Sequence, residues 1–228
     1  MDALPLMARA AANFRARLGA EPGCITLPVP SVFPHDPPPS DALLWDNLLL
    51  RSDRFRRAHI ETLDVAERLS VLHVCVFPHL DDPTPIFGFD MIAGPARVTG
   101  IFLDLSPVTN RLPEPSLSDV VGLPALAGFA KRRTLPDWGS IFSVDVLAVR
   151  PADLDEVSRA IFLAEKAVDG VLRSRGLPAD AARAEIAVGQ SSYAAAQRRN
   201  EHTLRMLAGF IGLVPARRFV EEVLFPLE

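Results

Sequence analysis

Lysine is almost missing from this chain: among 24 basic residues only Lys131 and Lys166 are lysines, and the others are arginine. Its positive charge therefore resists titration and suits bidentate pairing with carboxylates. Cysteine is equally scarce. Cys24 and Cys75 stand far apart without a CxxC or CxxH neighbour, which argues against thiolate zinc sites and protein-bound iron–sulfur clusters and fits reduced thiols. No run of about 18 uncharged apolar residues occurs, so no membrane-spanning helix is expected. Residues 1–20 carry Arg9, Arg15 and Arg17 inside an apolar pattern and read as a surface helix rather than a leader. A nucleotide cradle is lacking too, because Ala93-Gly94-Pro95 puts proline where a phosphate-binding loop needs a backbone N–H. With 28 acidic residues the net charge is −4, which favours neither nucleic acid nor an anionic membrane as a partner.

What is present is a 228-residue chain, 49% hydrophobic, with 21 prolines and 13 glycines. That is too much proline and glycine for a helical bundle and too much apolar content for disorder. Residues 5–18 have helical spacing, and 21–41 form a proline-dense extended loop. From Arg54 the period becomes two, predicting strands over 55–65, 69–77, 86–93, 98–105 and 141–149, antiparallel because most connections are short. Helices are expected at 116–132, 153–175, 181–212 and 216–224. The expectation is one domain spanning 1–228, an α/β three-layer sandwich whose central antiparallel sheet carries helices on both faces.

The chemistry lies where titratable groups interrupt those strands, since core-facing strand positions rarely hold His or Asp. His59 and Glu61 are two residues apart, on one strand face and about 7 Å from each other. His73 shares its face with Val71, Cys75 and Phe77, all apolar, so it should be buried. Asp90 lies in Phe-Gly-Phe-Asp-Met-Ile with little polar company. A buried carboxylate near a buried imidazole is costly unless they share a proton or bind something. Each has a plainer reading: His73 as a satisfied core histidine, His59 and Glu61 as a solvated edge, Asp90 as a turn cap. Two imidazoles and two carboxylates also suffice for non-haem iron, although the usual close pairing of ligands is only half met. His35 and His79 are expected to be exposed and without a role.

The segments Phe55-Arg-Arg-Ala-His59-Ile-Glu61, Val71-Leu-His73-Val-Cys-Val-Phe-Pro78, Pro85-Ile-Phe-Gly-Phe-Asp90-Met-Ile-Ala-Gly-Pro95 and Asp104-Leu-Ser-Pro107 resemble the ferredoxin-dependent bilin reductases, most closely the phycocyanobilin:ferredoxin oxidoreductase branch. Arg133-Thr-Leu-Pro-Asp-Trp-Gly139, Ile141-Phe-Ser143, Asn200-Glu-His-Thr203 and Val223-Leu-Phe225 continue the likeness. The resemblance implies a linear tetrapyrrole held between sheet and C-terminal helices, and a reduction of biliverdin IXα to phycocyanobilin through radical intermediates. Electrons would come from ferredoxin, with no metal or organic cofactor bound by the protein. It implies Asp90 as the central proton donor at the bilin lactam edge with His73 as its imidazole partner, Glu61 as the acid for the D-ring exovinyl group with His59 beside it, and Arg133 as a propionate anchor. Asn200 and Met206 would line the pigment site. His202 stands where family members carry lysine, a departure that leaves the second propionate contact open. A two-electron dihydrobiliverdin product and a non-catalytic tetrapyrrole-binding module are the alternatives. Arg56, Arg57, Lys131, Arg132, Arg198 and Arg199 are candidates for a local basic face toward acidic ferredoxin. A cytoplasmic monomer is expected.

Overall fold

Seven strands form one antiparallel sheet in the order in which the chain makes them: β1 (Ile25–Leu27), β2 (Leu43–Arg51), β3 (Arg57–Val65), β4 (Leu69–Phe77), β5 (Ile86–Ala93), β6 (Val98–Ser106) and β7 (Leu147–Val149). The computed structural model describes residues 4–31, 43–66, 68–109, 115–174 and 183–227. One face of the sheet presents Ala58, Ile60, Leu72, Val74, Phe87, Phe89, Ile101 and Leu103 to α1 (Leu4–Gly19) and α4 (Leu154–Arg173). Helix α1 buries Met7, Ala10, Ala11, Phe14 and Leu18, the spacing of a single helical stripe. Phe14 is fully buried, with its ring 6.0 Å from Phe87 and 5.6 Å from Phe89. Arg17 fastens this helix to α4 through both Asp169 oxygens, at 2.8 and 2.7 Å, and through Glu165.

The opposite face carries α5 (Arg183–Gln197), α6 (Glu201–Ile211), α7 (Leu213–Arg218) and a π-type turn, Phe219–Leu224. Ile186, Tyr193, Leu207, Ala216, Phe219 and Val223 bury this second layer against Leu63, Val71, Cys75 and Phe77. The three-layer α/β/α arrangement is therefore the one expected from the sequence.

Several elements differ from expectation. β1 lies inside the stretch read as loop, and β2 was not anticipated, because Leu48-Leu49-Leu50 is apolar at consecutive positions and hides its period of two. The strand expected over 141–149 shrinks to β7, since Gly139–Ile141 closes a 3-10 turn. The helix expected over 116–132 becomes α2 (Leu117–Val121) and α3 (Leu123–Ala127), divided at Gly122, whose φ of 86° is left-handed. The one expected over 181–212 breaks at Asn200, whose side chain accepts from the N–H groups of His202 and Thr203 and starts α6. Its start at 181, the loop residues 32–41 with His35, and residues 1–3 lie outside the described residues.

Candidate active site

Strand register brings the expected groups into one row. Asn47 is opposite Glu61, Glu61 opposite His73, His73 opposite Asp90, and Asp90 opposite Phe102, so five adjoining strands each place one residue on the same face. The next row on that face holds Leu49, His59, Cys75, Gly88 and Asp104.

His73 donates from Nδ1 to Asp90 Oδ1 at 2.7 Å. Its ring centre is 5.5 Å from that of His59, whose Nε2 donates to Asn47 Oδ1 at 2.9 Å. Trp45 donates its indole N–H to Glu61 Oε1 at 2.7 Å. Trp45 and Asn47 escaped the sequence reading with the strand that carries them; the detectable signal was a polar-capable pair two residues apart, matching His59 and Glu61 across the ladder.

His73 is buried, as expected, and so are His59 and Glu61, against the plainer reading of that pair as a solvated edge. Asp90 is not. Its side chain is 40% exposed, because its neighbours on the same face are Gly88 and Ile92, and the flanking Phe89 and Met91 point into the other core. The pair is thus an imidazole in the interior joined to a carboxylate that reaches solvent.

These environments separate the proton affinities. Burial drives His59 well below the usual histidine range, helped by the charges of His73 and Arg57. Burial raises Glu61 to about 7, against the opposing pull of His73 and the Trp45 hydrogen bond. For His73, burial favours the neutral ring, but Asp90's charge and hydrogen bond and Glu61's charge outweigh it, and the net shift is upward. His59 Nδ1 and His73 Nε2 are buried and make no hydrogen bond within the protein. Cys75, pushed up to about 12 by burial, is no nucleophile. Among the described residues no group of three or more His, Cys, Asp or Glu is arranged to hold a metal ion.

The surroundings fix these groups from three sides. Phe219 meets Trp45 at 4.5 Å and His59 edge-on at 6.3 Å, and Phe225 meets His73 edge-on at 5.9 Å. Arg57 donates to the carbonyl of Val223 at 2.5 Å, and Arg198 to those of Phe225 and Glu221 at 2.8 and 2.7 Å. Arg56 lies over Phe77 and donates to Gln190. Of these three guanidinium groups, expected on an open docking face, Arg56 and Arg57 hold the C-terminal layer to the sheet and Arg198 ties that layer's own segments together. Asp104, buried and raised by that burial, accepts from Ser106 and Ser143 and ties the 139–145 turn to β6. Tyr193 fits over Gly88, where a Cβ would come within 3.3 Å of its hydroxyl oxygen.

Arg133 reaches the same face: its guanidinium lies 5.0 Å over Phe102 and fills the space above Gly100. Asn200, His202 and Met206 stand on or next to α6, which packs chiefly on α7. Asn200 Oδ1 is committed to capping, His202 is exposed, and Met206 packs half-buried on the second core. His79, expected to be exposed, is half-buried and donates to the Ser52 carbonyl at 2.9 Å.

An acid that still holds part of its proton near neutrality, beside an imidazole with raised proton affinity that is linked to solvent, is able to deliver protons, and the sequence comparison gives the class. Residues 12–226 match the family model described as ferredoxin-dependent bilin reductase, and the chain belongs to that family. It is similar to the phycocyanobilin:ferredoxin oxidoreductase of Prochlorococcus marinus (strain MIT 9313), 35% identical over 228 residues, covering 97% of this chain and 86% of the relative. Two solved structures share the fold. Phytochromobilin synthase from tomato, in complex with biliverdin, has a TM-score of 0.70 at 16% identity, covering 98% of this chain and 83% of that one. A structure described as PcyX has a TM-score of 0.65 at 22% identity and covers 99% of each chain. Among the described residues no helix is long and apolar enough to cross a membrane.

Proposed function

We propose that this bilin reductase converts biliverdin IXα to phycocyanobilin, adding four electrons singly from reduced ferredoxin and four protons from its own side chains. The reading has it act as a cytoplasmic monomer of one domain, 1–228, with no bound metal or organic cofactor. Each arriving electron makes the conjugated pigment more basic, and a positioned acid completes the step. Asp90 is the proton donor at the lactam edge, and His73 is its imidazole partner. Because Asp90 is 40% exposed and His73 is buried, solvent can restore the proton that the pair gives away. Glu61, about half protonated near pH 7, gives its proton to the D-ring exovinyl group, with His59 as its neighbour. Arg133 pairs with one propionate as a planar fork. Asn200, His202 and Met206 border the pigment from α6.

The observation that carries this reading is the row itself: Glu61, His73 and Asp90 lie opposite one another on consecutive strands, in the order buried acid, buried imidazole, exposed carboxylate. The test is anaerobic mixing of protein, biliverdin, ferredoxin and a ferredoxin-reducing system. Absorption should pass through radical intermediates, and chromatography should recover phycocyanobilin. A pigment that stays unreduced defeats the proposal, and a two-electron dihydrobiliverdin as end product corrects it. Asp90→Asn should bind pigment and stall, whereas a pure carrier would be indifferent to the change.

A further inference from the structure

Four cations converge at the β7 edge of the sheet. Arg132 pairs with Val149 as an isolated antiparallel bridge, Arg133 N–H donates to the Ala148 carbonyl at 2.8 Å, and Arg150 N–H to that of Lys131 at 2.9 Å. Residues 131–133 therefore run along β7 and form a short ribbon carrying Lys131, Arg132, Arg133 and Arg150. Lys131, Arg132 and Arg150 are exposed, and Arg133 is half-buried.

Among the described residues none of the four lies within ion-pair distance of a carboxylate. Arg132 donates to the carbonyls of Leu126 and Val146. The nearby acids are engaged elsewhere: Asp145 accepts from Ser118 N–H, and Glu156 from the N–H groups of Ala130 and Ala152. In a molecule of net charge −4, this ribbon is a local positive field that no carboxylate among the described residues pairs with. It also adjoins the site, because Arg133 lies over Phe102 and Phe102 is opposite Asp90.

We propose that Lys131, Arg132 and Arg150 form the surface on which the acidic iron–sulfur electron donor docks, so that electrons enter beside Phe102 and Asp90. This rests on the reading of the protein as a ferredoxin-fed pigment reductase. Charge complementarity selects the occupant: a compact patch beside a redox site suits an acidic carrier protein, and it lacks the length and interleaved aromatics of a nucleic-acid track. Arg56, Arg57 and Arg198, also expected at this role from the sequence, are half-buried and reach Gln190 and backbone carbonyls, whereas Lys131, Arg132 and Arg150 are exposed.

The test reverses charge on the patch without touching the site: Lys131→Glu with Arg150→Glu, against a control pair of equal charge change, Arg9→Glu with Arg51→Glu, on exposed positions of α1 and β2. Turnover is measured with ferredoxin over a range of ionic strength, and separately with a small low-potential chemical reductant. The patch pair should raise KM for ferredoxin about tenfold or more and flatten its salt dependence. Biliverdin affinity and the rate with the chemical reductant should stay at wild-type values, and the control pair should leave KM unchanged. An unchanged ferredoxin KM in the patch pair, or an equal rise in the control pair, overturns the docking surface and leaves the pigment chemistry standing. If wild-type protein reduces biliverdin with neither donor, the underlying function falls and the docking proposal with it. Should the glutamates disturb folding, as circular dichroism would report, Lys131→Gln with Arg150→Gln makes the same comparison with a smaller expected rise.

Discussion

Glu61 and His59 owe their states to partners on the preceding strand. Trp45 donates to Glu61, which steadies the carboxylate, so Trp45→Phe should move the alkaline limb of turnover upward from about 7 in a pH–rate profile. Glu61→Gln keeps an acceptor for the indole but has no proton to give. It should bind biliverdin normally and accumulate a two-electron product, read by chromatography. Asn47→Asp would set a carboxylate 2.9 Å from His59 Nε2 and raise the proton affinity of that ring, visible in its imidazole NMR titration. The burial of His73 was legible in the sequence, because its i±2 neighbours Val71 and Cys75 are apolar, whereas His59 and Glu61, with Arg57 beside them on the same face, showed only their shared side of the strand. Asp90's exposure was misjudged when Phe89 and Met91, which point the other way, were counted as its company. Reading Gly88 and Ile92 instead would have shown an open side.

Elements β3 to β6 could be read from their β-branched and aromatic runs between turn signals, since each strand has one mostly apolar face. β2 could not: leucines at 48, 49 and 50 face both layers, and no period survives. The loss mattered, since that strand supplies the partners of His59 and Glu61. Helix α1 depends on its stripe, and Phe14→Ala should cost about 3–5 kcal/mol in urea unfolding. The C-terminal layer is held differently, by guanidinium groups on backbone carbonyls. Arg198→Ala removes two such bonds and should destabilise by about 1–3 kcal/mol. Its signature is local: amide exchange across 219–225 should quicken while α4 stays protected.

Buried titratable groups make the whole molecule sensitive to pH. Unfolded Glu61 ionises near 4.5, whereas the folded one keeps its proton to about 7, so between these values the unfolded chain binds fewer protons and stability falls as pH rises. Asp104 acts in the same direction. His73, raised, contributes stability below 6.5 that is lost as pH climbs through its folded value, and His59, lowered, costs stability as pH drops below 6.5. Glu61→Gln should thus gain stability relative to wild type between pH 5 and pH 8, by on the order of 3 kcal/mol in urea titrations at the two values. The order of the sheet has a consequence for biosynthesis. Every strand pairs with the one before it, so a chain leaving the ribosome can lay down the sheet hairpin by hairpin, while the residues that close over the two histidines are translated last. A chain arrested before residue 219 would carry a formed sheet with its imidazoles bare to water, so the candidate site is the last part of the newborn protein to become dry.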